Sequence, residues 1–173
     1  MKNAIKFFAL LGLCVAPLSQ AATLSFDPPQ VAVSPGQHFD LTLMIDGVSD
    51  LTGLSVVFTY TSAIIMPIGA DPGQIFQTTP CESWLFVYPA NGDSIQVDEV
   101  LLGGCGSSGS GSVARLHFVA RASGVTTFAW RSGILRDTKN QDILATWEYA
   151  RVMVAGPVPV RSTTWGRLKS LYR

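Results

Sequence analysis

At 173 residues, with 12 Lys and Arg balancing 12 Asp and Glu, the chain has room for one domain with a sizeable core. The balance hides a split: residues 22–160 hold all twelve acids against six bases (Arg115, Arg121, Arg131, Arg136, Lys139, Arg151), a net of −6, whereas 161–173 hold Arg161, Arg167, Lys169 and Arg173 and no acid. An acidic body with a single lysine argues against a nucleic-acid partner, which needs a basic face, and nothing in the mature chain is apolar enough to span a bilayer.

Residues 1–21 have the order of a secretory signal peptide. Lys2 and Lys6 form the basic start, Phe7 to Val15 the apolar run, and Pro17 ends it. Ser19-Gln20-Ala21 offers small residues at −3 and −1, so cleavage is expected after Ala21. The apolar run is about half a membrane span. Leu13 precedes Cys14 where a lipoprotein signal needs a small residue. The expected location is secreted, extracellular or cell-surface, with the periplasm as a further compartment. Two cysteines remain, Cys81 and Cys105, and an exported chain with an even count is expected to bridge them. The alternatives are two free thiols or half a metal site, the latter without further ligands nearby.

From Thr23 the chain reads as strands punctuated by turns. Thr23–Phe26 and Gln30–Val33 are short β segments split by Asp27-Pro28-Pro29, and Ser34-Pro35-Gly36-Gln37 is a turn. Phe39, Leu41, Leu43 and Ile45 alternate along one side of a strand. Asp46-Gly47 reads as the next turn. In Thr52–Tyr60, Leu54, Val56, Phe58 and Tyr60 belong inside, with Gly53, Ser55, Val57 and Thr59 outside. Ile64–Ile68 contains Pro67 and suits a sheet edge, and Gly69–Pro80 is a loop. Further strands are expected at Trp84–Tyr88, Ser94–Leu102, Ser112–Ala122, Val125–Arg131 and Ile143–Val154. Gly103–Gly111 is read as a flexible Gly/Ser connection. About nine short strands without intervening helices predict an all-β fold, an antiparallel β-sandwich over 22–155.

Composition changes after that. Residues 156–163 form a Pro-containing linker, and 164–173 a short basic amphipathic C-terminal tail. There Trp165, Leu168, Leu171 and Tyr172 recur at helical spacing opposite Arg167, Lys169 and Arg173. Ten residues are too few to hold a helix alone in water, so the tail is expected to order only against a partner. Val158-Pro159 with Ser162-Thr163-Thr164-Trp165 resembles the start of the Pro-Glu-Pro class of bacterial sorting tags, without the apolar span such tags carry.

No catalytic constellation emerges. His117 alternates with Leu116 and Phe118, so it shares a face with Arg115 and Val119 and reads as a surface histidine. His38, at a strand entrance, reads the same way. Asp98 and Glu99 are adjacent on a strand and face opposite sides, so they cannot pair as acid and base. Asp137–Asp142 loosely resembles a calcium loop, but Lys139 stands at its third position and the glycine is missing; a polar turn is expected. The Gly/Ser run lacks the lysine of a phosphate loop. The expectation is a non-enzyme with no cofactor and no metal.

Four stretches together resemble a known family: Val31–Gln37 with Phe39–Leu43, Leu51–Tyr60, Gly109–Phe118 and Leu135–Ile143. Across residues 23–155 the chain resembles a cohesin domain, the receptor half of the cohesin–dockerin pair in bacterial carbohydrate-degrading assemblies. Thr61-Ser62 stand where that family usually has Asp-Pro. The resemblance implies a nine-stranded β-sandwich of jelly-roll type, related in fold to some carbohydrate-binding modules, with one exposed sheet face for the partner. Carried over residue by residue, that face is Ser55, Val57 and Thr59, with Gln96 and Asp98 if Ile95 and Val97 point inward. The implied partner is a dockerin-like or other extracellular protein. The implied role is protein–protein recognition tied to extracellular polysaccharide degradation or cell-surface assembly. Two alternatives stand beside it. One is direct binding of polysaccharide through Trp84, Tyr88, Trp130 and Trp147, which are here assigned instead to the core. The other is a structural or adhesive subunit with the tail as its assembly signal.

Overall fold

The computed structural model describes residues 21–90 and 92–156. The expected signal peptide (1–21) except Ala21, the expected linker (156–163) except Gly156, and the expected tail (164–173) lie outside the described residues. Within them are ten strands: β1 (Ala22–Asp27), β2 (Gln30–Val33), β3 (His38–Thr59), β4 (Ile65–Pro72), β5 (Ser83–Pro89), β6 (Ser94–Leu101), β7 (Ser107–Ala120), β8 (Gly124–Asp137), β9 (Ala145–Trp147) and β10 (Ala150–Val154). A single 3-10 turn (Phe76–Thr78) is the one helical element among them. No described helix is long and apolar enough to cross a membrane.

β3 is the spine. Its first half pairs with β1 on one side and β7 on the other, which gives a layer ordered β4–β7–β3–β1–β9. Its second half pairs with β6 and β8, which gives a layer ordered β5–β6–β3–β8. The start of β8 continues through β10 to β2. The layers meet through aromatic side chains. Phe26 of β1 packs on Phe58 of β3 at 4.8 Å between centroids, and Phe118 of β7 on Phe128 of β8 at 5.1 Å. Leu24, Leu41, Leu43, Val56, Val97 and Leu116 are fully buried between them. Each such side chain contributes roughly 1.5–3 kcal/mol. The all-β sandwich expected from alternation is present, and Leu54, Val56, Phe58 and Tyr60 are buried as expected.

Several local expectations are corrected. Asp46-Gly47 does not turn the chain: β3 runs through it. Gly47 (φ 69°) and Asp50 (φ 59°) take left-handed conformations singly, and the register with β7 slips between Ile45 and Val48 and again between Val48 and Leu51. These are bulges, which insert a residue without reversing direction. The Gly/Ser run is not all connection either. Ser107–Gly111 belong to β7 and pair with the bulged part of β3. The Ser110 and Ser108 hydroxyls accept hydrogen bonds from the Gly47 and Asp50 N–H groups at 3.1 and 2.9 Å. Serine thus serves backbone donors that the bulges leave out of the ladder.

Ile143–Val154 is two strands, not one. β9 runs parallel to β1, and β10 parallel to β2. Because β1 and β2 are split at Asp27–Pro29, the strand following them splits at the same level. There the Glu148 N–H donates to the Leu24 carbonyl (2.8 Å) and the Arg151 N–H to the Pro29 carbonyl (2.9 Å). The sandwich is therefore antiparallel apart from these two pairs, and has ten strands where nine were expected. β4 extends to Pro72 into the expected loop, pairing only with β7 as an edge strand should. β8 continues to Asp137. Cys81 and Cys105 form the expected disulfide, tying the entry of β5 to the entry of β7.

Candidate binding face

Register places four strands of one layer side by side, and their outward residues form rows. Trp84 of β5 lies beside Val100 of β6, which faces Gly53 of β3 and then Arg136 of β8. The next row is Phe86, Asp98, Ser55 and Ile134, and the third is Tyr88, Gln96, Val57 and Ser132. Phe86 and Ile134 are each 50% exposed, and Trp84, Tyr88 and Val100 are exposed too. A set of large apolar side chains on one sheet face is unusual unless something covers it.

A polar cluster occupies the middle. The Tyr88 hydroxyl donates to Asp98 Oδ2 at 2.7 Å. The Gln96 amide donates to both Asp98 oxygens at 3.0 Å and to the Ser55 hydroxyl at 3.2 Å. Burial pulls the Asp98 pKa upward, but hydrogen bonds from Ser55, Gln96 and Tyr88 outweigh it, and the carboxyl sits below its usual range. The same bond holds the Tyr88 phenol above its usual value. Beside this cluster is a depression of about 350 Å³ over Gly53, walled by Phe86, Val100, Ile134 and Arg136. A side chain at Gly53 would fill it, its Cβ only 3.3 Å from the Glu99 carbonyl oxygen. Arg136 is held at the rim by Asp142 (2.9 Å) and the Asn140 carbonyl (3.1 Å).

Of the residues expected from the sequence, Ser55, Gln96 and Asp98 are joined by hydrogen bonds. Val57 lies in the same row as Gln96. Thr59 closes the strand, its hydroxyl donating to the Ala129 carbonyl at 3.3 Å. Ile95 and Val97 point inward, as that placement required. Trp84 and Tyr88 are corrected: they are not core. β5 is the edge of its layer, paired only with β6, and no second layer covers its outer side. Trp130 and Trp147 do pack against the core, 3.9 Å apart and with Trp130 4.2 Å from Phe58. Phe86 and Ile134 were not singled out from the sequence. The alternation of Phe86 with Leu85 and Val87 was the available signal.

The other layer carries His117, partly exposed as expected. Its Nδ1 lies 2.8 Å from Asp40 and its Nε2 3.0 Å from Asp71, which links β7 to both neighbours. The Asp40 bond raises its pKa against a smaller lowering by desolvation, with Asp71 adding to the rise. Both ring nitrogens are thus engaged by carboxylates. Asp137 Oδ1 accepts from the Lys139 and Gln141 N–H groups at 2.9 and 2.7 Å, which makes 137–142 a polar turn. Among the described residues no three His, Cys, Asp or Glu side chains are grouped to hold a metal ion.

Solved cohesin domains superpose on this two-layer arrangement. The fold is that of a cohesin domain. The CaCohA2 domain of Clostridium acetobutylicum matches with a TM-score of 0.68 at 17% identity, over 82% of this chain and 95% of its own. The sixth cohesin of Acetivibrio cellulolyticus scaffoldin B, solved with a Cel5 dockerin mutant, gives 0.65 at 16%, over 79% and 100%. A non-cellulosomal cohesin of the archaeon Archaeoglobus fulgidus gives 0.64 at 14%, over 79% and 92%. No family model and no curated protein sequence matches the chain. On this cohesin fold one ionisable side chain lies behind the face: Glu99 points into the core, 1% exposed, with neither carboxyl oxygen hydrogen-bonded. Desolvation pushes its pKa up to about 8, so at neutral pH it is a buried carboxylic acid.

Proposed function

We propose that the β5–β6–β3–β8 face is a protein-docking surface and that the chain is an exported, non-catalytic receptor module of the dockerin-binding kind. The observation that carries this is the face itself: exposed Trp84, Phe86, Val100 and Ile134 around a hydrogen-bonded carboxylate, over a depression deep enough for one partner side chain. That combination suits a partner element with apolar side chains flanking a cation or hydroxyl. Two cohesins of the same fold, from Acetivibrio cellulolyticus and Clostridium thermocellum, were solved in complexes with dockerins. The secretory pattern of residues 1–21 and the Cys81–Cys105 bridge support export, and with it a role outside the cell.

Binding of the full chain to a panel of purified dockerins, by interferometry, tests the proposal. At least one should bind. Phe86→Asp should weaken it by tenfold or more, because truncating or charging an interface anchor costs upward of about 1.4 kcal/mol. Asp40→Asn, on the opposite layer, should leave it unchanged. Binding that ignores Phe86→Asp, or no binding by any dockerin, counts against the face.

Direct polysaccharide binding is the second reading, favoured by the outward row Trp84, Phe86 and Tyr88. The Trp84 and Phe86 rings are tilted 49° to each other and form no flat platform for a sugar chain, so protein docking is the reading adopted. Retardation of the protein in a polysaccharide affinity gel, lost in Trp84→Ala, would reverse that preference.

A further inference from the structure

We infer that the docking face takes the segment 157–173 of a second copy of this chain, so that copies link head to tail. The inference rests on the reading of β5–β6–β3–β8 as a protein-docking face and names a partner for it. The chemistries match. The face is one carboxylate ringed by Trp84, Phe86, Val100, Ile134 and Val57. The segment interleaves Trp165, Leu168, Leu171 and Tyr172 with Arg167, Lys169 and Arg173 and contains no acid.

Charge points the same way. Arg136, the base on the rim, is already paired with Asp142, whereas Asp98 is bonded by neutral groups alone, Tyr88, Gln96 and Ser55. Its charge is therefore left for a cation from outside. Over longer range, a body of −6 attracts a segment of +4.

Reach makes the contact intermolecular. Gly156 packs beside Ser123, next to the start of β8. Ile134 lies ten residues along that strand from Gly124, a run of about 33 Å, and Asp98 lies two strands further across, roughly 10 Å more. The nine steps from Gly156 to Trp165 span about 31 Å at full extension. Trp165 thus falls short of Asp98 on its own face even in a fully extended chain, and only residues from about Arg167 on could cross that centre. Seating Trp165 there together with Leu168 and Leu171 takes the face of a second copy. Face and segment are different surfaces, so the contact is heterologous and propagates into rings or open chains.

Sedimentation velocity on the full mature chain tests this, from 1 to about 200 µM protein at low and high salt. The wild type should grow beyond dimers with concentration and shrink back as salt rises. Phe86→Asp (broken face) and Leu168→Asp (broken segment) should each be monomeric. Mixed one to one, they should form a two-chain species and nothing larger, because one supplies the intact segment and the other the intact face. Ile134→Asp should behave as Phe86→Asp does, which guards against a folding defect in either. A wild type that stays monomeric throughout, or a mixture that stays monomeric, overturns the inference. If the Leu168→Asp chain still binds a dockerin in a Phe86-dependent way, the docking face stands and only its self-partner falls. If it binds none and the wild type stays monomeric, both fall.

Discussion

Asp98 and Glu99 are neighbours on β6 with opposite fates. Alternation sends Asp98 to a face where three hydrogen-bonding groups stabilise its charge, and Glu99 to a core where nothing does. That they face opposite ways was legible in the sequence. That Glu99 is left without a partner was not, since it depends on what packs behind β6. The consequence is a titration. The folded pKa of about 8 lies above the ordinary glutamate value of 4.5. The contribution of Glu99 to stability is therefore full below pH 4.5 and is lost as pH rises through about 8. The slope is about 1.4 kcal/mol per pH unit across that window. Glu99→Leu should stabilise the protein, and its gain at pH 8 should exceed its gain at pH 4.5 by on the order of 3–5 kcal/mol. Urea midpoints at the two pH values measure this. Equal gains would mean that Glu99 does not titrate in that interval.

At the level of elements, alternation reports which way a side chain points but not which strand lies beside it. It placed Ser55, Val57, Gln96 and Asp98 on outward sides correctly, and their shared face follows because β3 and β6 pair in register. It could not bring Phe86 or Ile134 to them, since the order β5–β6–β3–β8 is set by long-range pairing. Strand ends were misread where single glycines and serines carry bulges, as at Gly47 and Ser107–Gly111. The split of β9 from β10 was illegible because it copies a break more than a hundred residues earlier. β9 itself depends on a residue that alternation treats as blank. The Trp147 ring packs against Gly133 of β8, where an added Cβ would stand 2.4 Å from it, and that ring meets Trp130 at a tilt of 52°. Gly133→Ala should therefore displace Trp147 and cost about 1–3 kcal/mol, seen as a lower melting temperature with red-shifted tryptophan emission. Ser132→Ala, one residue away and outward, should leave both unchanged. A Gly133→Ala protein with wild-type emission and melting would show that β9 docks without that contact.

For the molecule as a whole, three perturbed groups combine into one pH profile. Asp98 has a lowered pKa, so its contribution is present above 3.8 and is lost only as pH falls through that lowered value. His117 has a raised pKa, so the bond between β7 and its neighbours is worth most below 6.5 and fades as pH rises through the raised value. Its carboxylate partners are half or more exposed, so solvent keeps that contribution small, a fraction of a kcal/mol. Glu99 is the larger effect and has the same sign as His117. Self-repulsion adds to both, since the −6 body gains no positive charge and loses that of His117 as pH rises. The sum is a protein most stable near pH 4–5, with stability declining towards pH 9, whereas most proteins peak between about pH 5 and 8. For a domain of this size the fall from pH 5 to 9 should amount to roughly 10 °C in melting temperature. In Glu99→Leu most of that fall should vanish while the small His117 component remains. A melting temperature that is flat or rising over this range in the wild type would mean that the Glu99 carboxyl is solvated or paired in solution, and that the core behind the β5–β6–β3–β8 face is not dry around it as the structure has it.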